Sequence, residues 1–533
     1  MAPFYITTAI DYANGDPHIG HAYEKIGADA IARFHRMAGH DVHFLIGMDE
    51  HGQKVAQTAQ AQGITPQAQV DAVAARFLDT WRRLEISHDQ FIRTTDPRHI
   101  AGVQALLDRI FERNPDDFFE RSYEGWYCVG CEAFKQESEI SDGKCVLHPT
   151  RTLEWVKERN WFFRLSRYQD FLRQHIERHP EFIQPESRRN EVLGWLDQGL
   201  EDISASRSRF SWGVPFPRPT SDGEQQTTYV WFDALPNYLT ATGFPEPASE
   251  RRWPASLHVI GKDITRFHAV IWPSMLQAAG LPLPERVWAH GFVLLGGDRF
   301  SKSAGVKLDL DEAIARFGPD AFRYFLLREV PFDSDGNFSW ERFEDRYTSD
   351  LANAWGNLVS RTVAMIEKYR GGTTPSAALG SARTGASDAT DDVVGAARRA
   401  DLADAAAVDE YRSYLDGTRG FLLHEALNVV WRMIARSNEF VQSAAPWKLA
   451  KVDNGSSQLD AVLASLSRQI AIRTALLWPF IPAKSREVWR TIGGTSPIED
   501  VTLATLAVLD TSGWKVSKAE PLFPKPERAP SSS

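Results

Sequence analysis

The chain has 533 residues, more than one hydrophobic core normally serves, so roughly two to four domains are expected. Hydrophobic residues at 43% and charged residues at 24% are ordinary for a soluble globular protein, and the net charge of −10 excludes a general polyanion binder while leaving room for a local basic surface. Only three cysteines are present, all between Cys128 and Cys145, which excludes a disulfide framework.

The N-terminus, MAPFYITTAIDYANGD, has no basic leader region, so no signal peptide and a cytoplasmic location are expected. Residues 4–10, FYITTAI, read as a short buried strand. From His18 the apolar residues Ile19, Ala22, Ile26, Ala30, Phe34 and Met37 recur at three- and four-residue steps, one face of an amphipathic helix that Gly39 is placed to end. VHFLIG (42–47) supplies a second strand before the polar MDEHGQK. Strand, helix, strand is a parallel βαβ unit, whose ligands sit at the carboxyl ends of the strands, where "DPHIGH" and "MDEHG" both fall.

Residues 115–225 carry the cysteines, many aromatics and turn residues, and read as an insertion between an α/β half at 1–114 and a second at 226–295, where TTYVWFDA and LHVIG resume as strands. After Asp309 helical periodicity dominates, in 350–369, 418–450 and 457–491. The most apolar run, AIRTALLWPFIPA, is interrupted by Arg473 and broken by Pro479, so no membrane span is expected. GGTTPSAALGSARTGASDATDD (371–392) lacks bulky apolar residues; we read a flexible loop over 371–400 inside a helical domain at 346–520, followed by a tail at 521–533.

His18 and His21 lie one turn apart at the expected helix start, flanking Gly20. A helix N-terminus binds phosphate through unpaired N–H groups and its partial positive charge, and two imidazoles there can donate to oxygens that gain charge in a transition state. Gly20 lets a planar base rest on the backbone. Downstream, GGDRFSKSAGVKL (296–308) is a Gly-flanked loop whose lysine and hydroxyls suit the outer phosphates of ATP; read alone it is more readily an exposed basic loop. Cys128-x2-Cys131 followed by Cys145-x2-His148 has the spacing of a four-ligand zinc site, which closes the coordination sphere and makes the ion structural. A Cys128–Cys131 disulfide or redox pair is the competing reading, and it leaves Cys145 and His148 unexplained.

The pairing of HIGH with an SKS loop resembles the class I aminoacyl-tRNA synthetases, and over most of the chain the methionyl-tRNA synthetase family. Its KMSKS signature stands here as Arg299-Phe300-Ser301-Lys302-Ser303. The resemblance implies a Rossmann-like parallel-sheet catalytic domain with an inserted zinc-knuckle domain, a loop and stem-contact region at 296–345, and an α-helical anticodon-binding domain. It implies catalysis by His18, His21 and Lys302, and ATP contacts from His18, Gly20, His21, Gly261, Asp263, Arg299, Ser301, Lys302 and Ser303, with Mg2+ accompanying ATP. Methionine would meet Ile10, Tyr12, Asp49, Trp231, Ala234, Leu235, Tyr238, Ile264 and His268, where a strand-end carboxylate suits an α-ammonium and aromatic rings suit a thioether. Asn357, Arg361 and Trp447 match positions that read the CAU anticodon of tRNA(Met), and Cys128, Cys131, Cys145 and His148 would hold one Zn2+. Without the resemblance, each aromatic reads as core packing and the Asn/Arg pair as an ordinary helix face. The chain lacks the added oligonucleotide-binding domain of longer relatives, so a monomer is expected.

Other readings stay open on the residues alone. One is another class I synthetase, for cysteine or leucine; the short insertion leaves no room for a large editing domain, and the knuckle looks structural. The other is a catalytically quiet relative that binds RNA or a protein, supported by Arg299, Phe300 and Met48 and opposed by His18, His21, Asp49 and Lys302. Small nucleotidyltransferases also use HxGH, but their short chains would need neither the knuckle nor the helical C-terminus.

Overall fold

The computed structural model describes residues 1–128, 133–135, 137–146, 148–208, 211–295, 298–299, 310–376, 393–452, 455–518 and 520–524. Its centre is a seven-stranded sheet in which every pairing is parallel. Strand β1 (Pro3–Thr8) pairs with β3 (Asp41–Asp49) on one side and with Leu257–Gly261 on the other. The chain resumes pairing with β3 in the short β2 (Asp11–Tyr12), and β4 (Gln90–Arg93) also pairs with β3. Val287–His290 and then Ile183–Gln184 complete the other edge. Alternation along the strands sends Ile6, Phe44 and Ile46 into one apolar core and Tyr5, Leu45 and Ile92 into a second.

The helix expected from His18 is α1 (Ile19–Met37), with His18 as its N-cap and Gly39 at φ +88° just beyond its end. It crosses from β1 to β3, while Leu257–Gly261 lies on the far side of β1. The strand order therefore reverses at β1, and the crevice outside the strand ends opens there.

Three expectations change. Part of the 115–225 segment belongs to the central sheet: β5 (Phe118–Cys128) and Glu154–Phe163 form a long antiparallel hairpin, but the later Ile183–Gln184 pairs with Val287–Trp288 as an edge strand. TTYVWFDA is extended only at Thr227–Thr228 and turns helical over Val230–Ala234, because a short apolar run does not distinguish a strand from a buried helix. The 371–400 loop is helical from Val393 on, where an alanine- and arginine-rich stretch begins and Ala397 buries itself; residues 377–392 lie outside the described residues.

The C-terminal part is helical, with Leu423–Ala444 and Ser456–Leu477 packed on Val393–Ser413. Arg473, which interrupts the apolar run, is buried in a two-point pair with Asp404 at 2.6 and 2.9 Å. Among the described residues no helix is long and apolar enough to cross a membrane.

Candidate active site

The start of α1 is closed by its own histidines. His18 Nδ1 accepts from the N–H groups of Gly20 at 3.1 Å and His21 at 3.4 Å, and His21 Nδ1 accepts from the His18 N–H at 3.3 Å. This is a capping box built from imidazoles. Because each Nδ1 is an acceptor, the neutral rings carry their proton on Nε2, which becomes the donor of each ring. The rings stack with centroids 3.6 Å apart. A Cβ on Gly20 would stand 3.0 Å from His18 Cε1, so only glycine leaves that ring in place. The two histidines and the glycine thus form one rigid donor edge at the sheet's switch point.

Across the crevice, Gly261 ends its strand and Asp263 sits in the turn that follows; a Cβ on Gly261 would approach Asp263 Oδ1 to 2.7 Å. Arg299 is placed by a hairpin in which Leu294 pairs with Arg299, downstream of Val287–His290. Phe300, Ser301, Lys302 and Ser303 lie outside the described residues.

The positions expected to meet methionine gather around the same strand ends. Ile10 follows β1, and Tyr12 pairs in register with Asp49, the last residue of β3. Trp231, Ala234 and Leu235 come from the short helix Val230–Ala234 and its cap, and Tyr238 from Asn237–Thr240. Ile264 precedes a π-helical turn, Phe267–Ile271, and His268 lies within it, a geometry that recurs at functional sites. Trp231 stacks on Phe267 at 3.5 Å, an aromatic neighbour that sequence reasoning missed. Tyr238 OH meets His268 Nε2 at 2.7 Å, and His268 Nδ1 meets the Ile264 carbonyl at 3.1 Å. A carbonyl only accepts, so Nδ1 carries the proton and the Tyr238 hydroxyl donates to Nε2. Burial pushes His268 down to about 4, which keeps it neutral at physiological pH.

Two buried networks also escaped the sequence reading. Asp233, between Trp231 and Ala234, joins His51 Nδ1 at 2.6 Å to His99 Nε2 at 2.9 Å, and His99 Nδ1 meets Thr240 Oγ1 at 2.8 Å. Burial alone would raise the Asp233 carboxyl, but His51 and His99 bring it down to about 2. The network ties the end of β3, two residues past Asp49, to both short helices that carry positions expected to meet methionine. The second links Asp11, Lys25, Glu24 and His290: Lys25 Nζ donates to Asp11 and Glu24, and Glu24 Oε2 meets His290 Nε2 at 3.2 Å. The available signal was the set of charges on α1, which periodicity assigns to a solvated face. That face is buried instead.

In the inserted hairpin, Cys128 ends β5 and Cys145 pairs in register with His148; both cysteines are buried in one small cluster with Leu153. These positions suit a pair of thiolate ligands. Cys131 and the side chain of His148 lie outside the described residues, among which no group of three or more His, Cys, Asp or Glu is arranged to hold a metal ion. Asn357 and Arg361 begin the helix Asn357–Arg370, directly after a π-helical segment at Tyr347–Gly356, with Asn357 exposed. Trp447 is half-buried in Pro446–Leu449.

Comparison with known proteins identifies the family. The family model "tRNA synthetases class I (M)" matches residues 4–149 and 135–363. Methionine--tRNA ligase of Caldanaerobacter subterraneus is 42% identical over 98% of this chain and 78% of its own length, and that of Streptomyces coelicolor is 39% identical over 99% and 97%. The methionyl-tRNA synthetase of Mycobacterium tuberculosis in complex with methionyl-adenylate superposes with a TM-score of 0.90 at 38% identity, over 98% of this chain and all of that one. By sequence and by fold, the chain belongs to the methionine--tRNA ligases, a family of class I aminoacyl-tRNA synthetases.

Proposed function

We propose that the chain activates L-methionine with ATP to methionyl-adenylate, releasing pyrophosphate, and passes the methionyl group to the 3′ end of tRNA(Met), with the crevice at the β1 switch point as the place of both steps. The observation that carries this assignment is the reciprocal histidine cap on α1, which directs two Nε2 donors and a helix N-terminus at one location. In this reading His18 and His21 stabilise charge on the phosphates during attack by the methionine carboxylate, with Lys302 of the signature loop as their counterpart. Gly20, Gly261 and Asp263 receive the adenosine; Arg299, Ser301 and Ser303 assist at the phosphates, and Mg2+ enters with ATP. No covalent enzyme intermediate is involved; rate comes from positioning and charge stabilisation.

Asp49 pairs with the α-ammonium of methionine. Ile10, Tyr12, Trp231, Ala234, Leu235, Tyr238, Ile264 and His268 enclose the side chain, and neutral His268 spends its acceptor on Tyr238. Asn357, Arg361 and Trp447 read unstacked anticodon bases, which suits an acidic protein better than a broad basic surface does. Cys128, Cys131, Cys145 and His148 hold a structural zinc; Cys145→Ser is expected to lower bound zinc measured by elemental analysis and to lower the melting temperature. The chain works as a monomer in the cytoplasm.

Amino-acid-dependent ATP–pyrophosphate exchange tests the assignment, run in parallel with methionine, cysteine, leucine and isoleucine. Exchange with methionine alone is expected. Exchange with another of the four would overturn the pocket assignment, and none from folded, zinc-loaded protein would overturn the reaction.

A further inference from the structure

Lys25 is fully buried on α1, and its ammonium donates to three acceptors: the Ala9 carbonyl at 2.8 Å, Asp11 Oδ1 at 2.7 Å and Glu24 Oε1 at 2.9 Å. An ammonium has three N–H donors, so all are used. Each bond leads to a different part of the crevice. Ala9 immediately precedes Ile10, at the base of the amino-acid pocket. Glu24 stands one helical turn beyond Gly20 and His21, and its second oxygen meets His290. His290 pairs in register with Gly261, and a Cβ on Gly261 would come within 4.0 Å of His290 Cε1, so this branch ends at the nucleotide side.

Packing alone does not account for such a group. Burying an ammonium costs several kcal/mol, and an apolar side chain of similar volume would fill the space without that penalty. The surrounding charges keep the lysine ionised. Burial lowers Lys25, but Asp11 and Glu24 more than compensate and raise it; burial likewise lifts Glu24, and Lys25 and His290 bring it back below the usual carboxylate range. Asp11 is the least settled member: burial holds it up at about 7 against the pull of Lys25, and its Oδ2 is buried with no hydrogen-bond partner.

Resting on the reaction proposed above, we infer that Lys25 is a positioning residue that couples the two substrate sites. Its ammonium locks the Ala9–Ile10 backbone and the Glu24 carboxylate into one hydrogen-bonded unit, with Asp11 as its counter-ion. Methionine seated against Ile10 fixes the Ala9 carbonyl, which fixes Lys25 and thereby Glu24 and His290 under the nucleotide; linkage makes the effect reciprocal.

Calorimetric titration with α,β-methylene-ATP, which cannot release pyrophosphate, tests this with and without saturating L-methionine. In the unaltered protein, methionine is expected to tighten nucleotide binding by roughly fivefold or more. In Lys25→Met the ratio is expected to fall below about twofold, while each ligand alone still binds and the KM values for exchange change more than kcat. Lys25→Met leaves two carboxylates facing each other; if it does not fold, Asp11→Asn/Lys25→Met removes a negative charge with the positive one and is read in its place. A purely structural lysine would shift the melting temperature and leave the coupling ratio untouched. An unchanged ratio in a folded variant, or no coupling in the unaltered protein, overturns the inference. Failure of the unaltered protein to exchange with methionine is a different result, and it overturns the underlying reaction.

Discussion

At the scale of single residues, the proposed nucleotide cradle depends on what one carbon atom would do at Gly20. The His18 ring caps the helix from a position 3.0 Å from where a Cβ would stand, so a side chain there swings the ring and with it the Nε2 donor. Gly20→Ala is therefore expected to cut the pyrophosphate-exchange rate by about 10²-fold, the effect of losing one charge-stabilising donor, while the melting temperature moves little. His268 makes a second prediction, read from stability. It is neutral when folded, with its value pushed down to about 4, whereas an unfolded histidine titrates near 6.5. Between those values the unfolded chain binds the extra proton, so stability is complete above about pH 6.5 and declines as pH falls toward 4, by roughly 3 kcal/mol from this residue. Urea unfolding of His268→Gln across that window is expected to show a shallower decline than the unaltered protein.

At the scale of elements, close packing of strands positions the proposed amino-acid pocket. Gly47 of β3 faces Ile92 of β4, and a Cβ there would lie 2.4 Å from the Ile92 carbonyl oxygen and 2.9 Å from Ile10. Gly47→Ala is expected to push β4 and Ile10 away, costing about 1–3 kcal/mol of stability and raising the methionine KM through the displaced Asp49 two residues on; steady-state exchange kinetics and urea unfolding measure the two effects. The βαβ unit was legible in the sequence because two short runs rich in β-branched and aromatic residues, FYITTAI and VHFLIG, bracket the unambiguous 3.6-residue period from Ile19 to Met37. TTYVWFDA was misread because neither period is resolved in so short an apolar run. The HIGH motif at the start of α1 was legible, yet its capping geometry was not, since sequence does not say which ring nitrogen meets the backbone. Lys25 and Glu24 were missed because periodicity presumes that the polar face of a helix meets water, whereas these charges turn to Asp11 and His290 instead. Asp233 was missed because its segment, TTYVWFDA, was read as a strand.

At the scale of the whole molecule, one such charge joins parts of the chain that differ in sequence texture. Arg323, fully buried, donates to Asp29 of α1 at 2.6 Å, to the Leu84 carbonyl at 3.0 Å, and to the carbonyls of Pro479 at 2.9 Å and Phe480 at 3.0 Å. Asp29 also receives Arg33 at 2.8 Å and Ser87 at 2.6 Å. Burial would raise its carboxyl, but the two arginines hold it well below the usual range. Arg323→Met is expected to cost about 3–5 kcal/mol in urea unfolding, since it takes one of two arginines from a buried carboxylate and removes the donor to three carbonyls. The carbonyls of Pro479 and Phe480 lie beyond the boundary near residue 346 that composition suggests between catalytic and helical parts. A catalytic half cut at that boundary would therefore carry an interior guanidinium whose acceptors had been left on the discarded piece. Modules that look separable as text share a keystone, and any attempt to shorten, swap or transplant either half has to bring the opposite face of Arg323 with it.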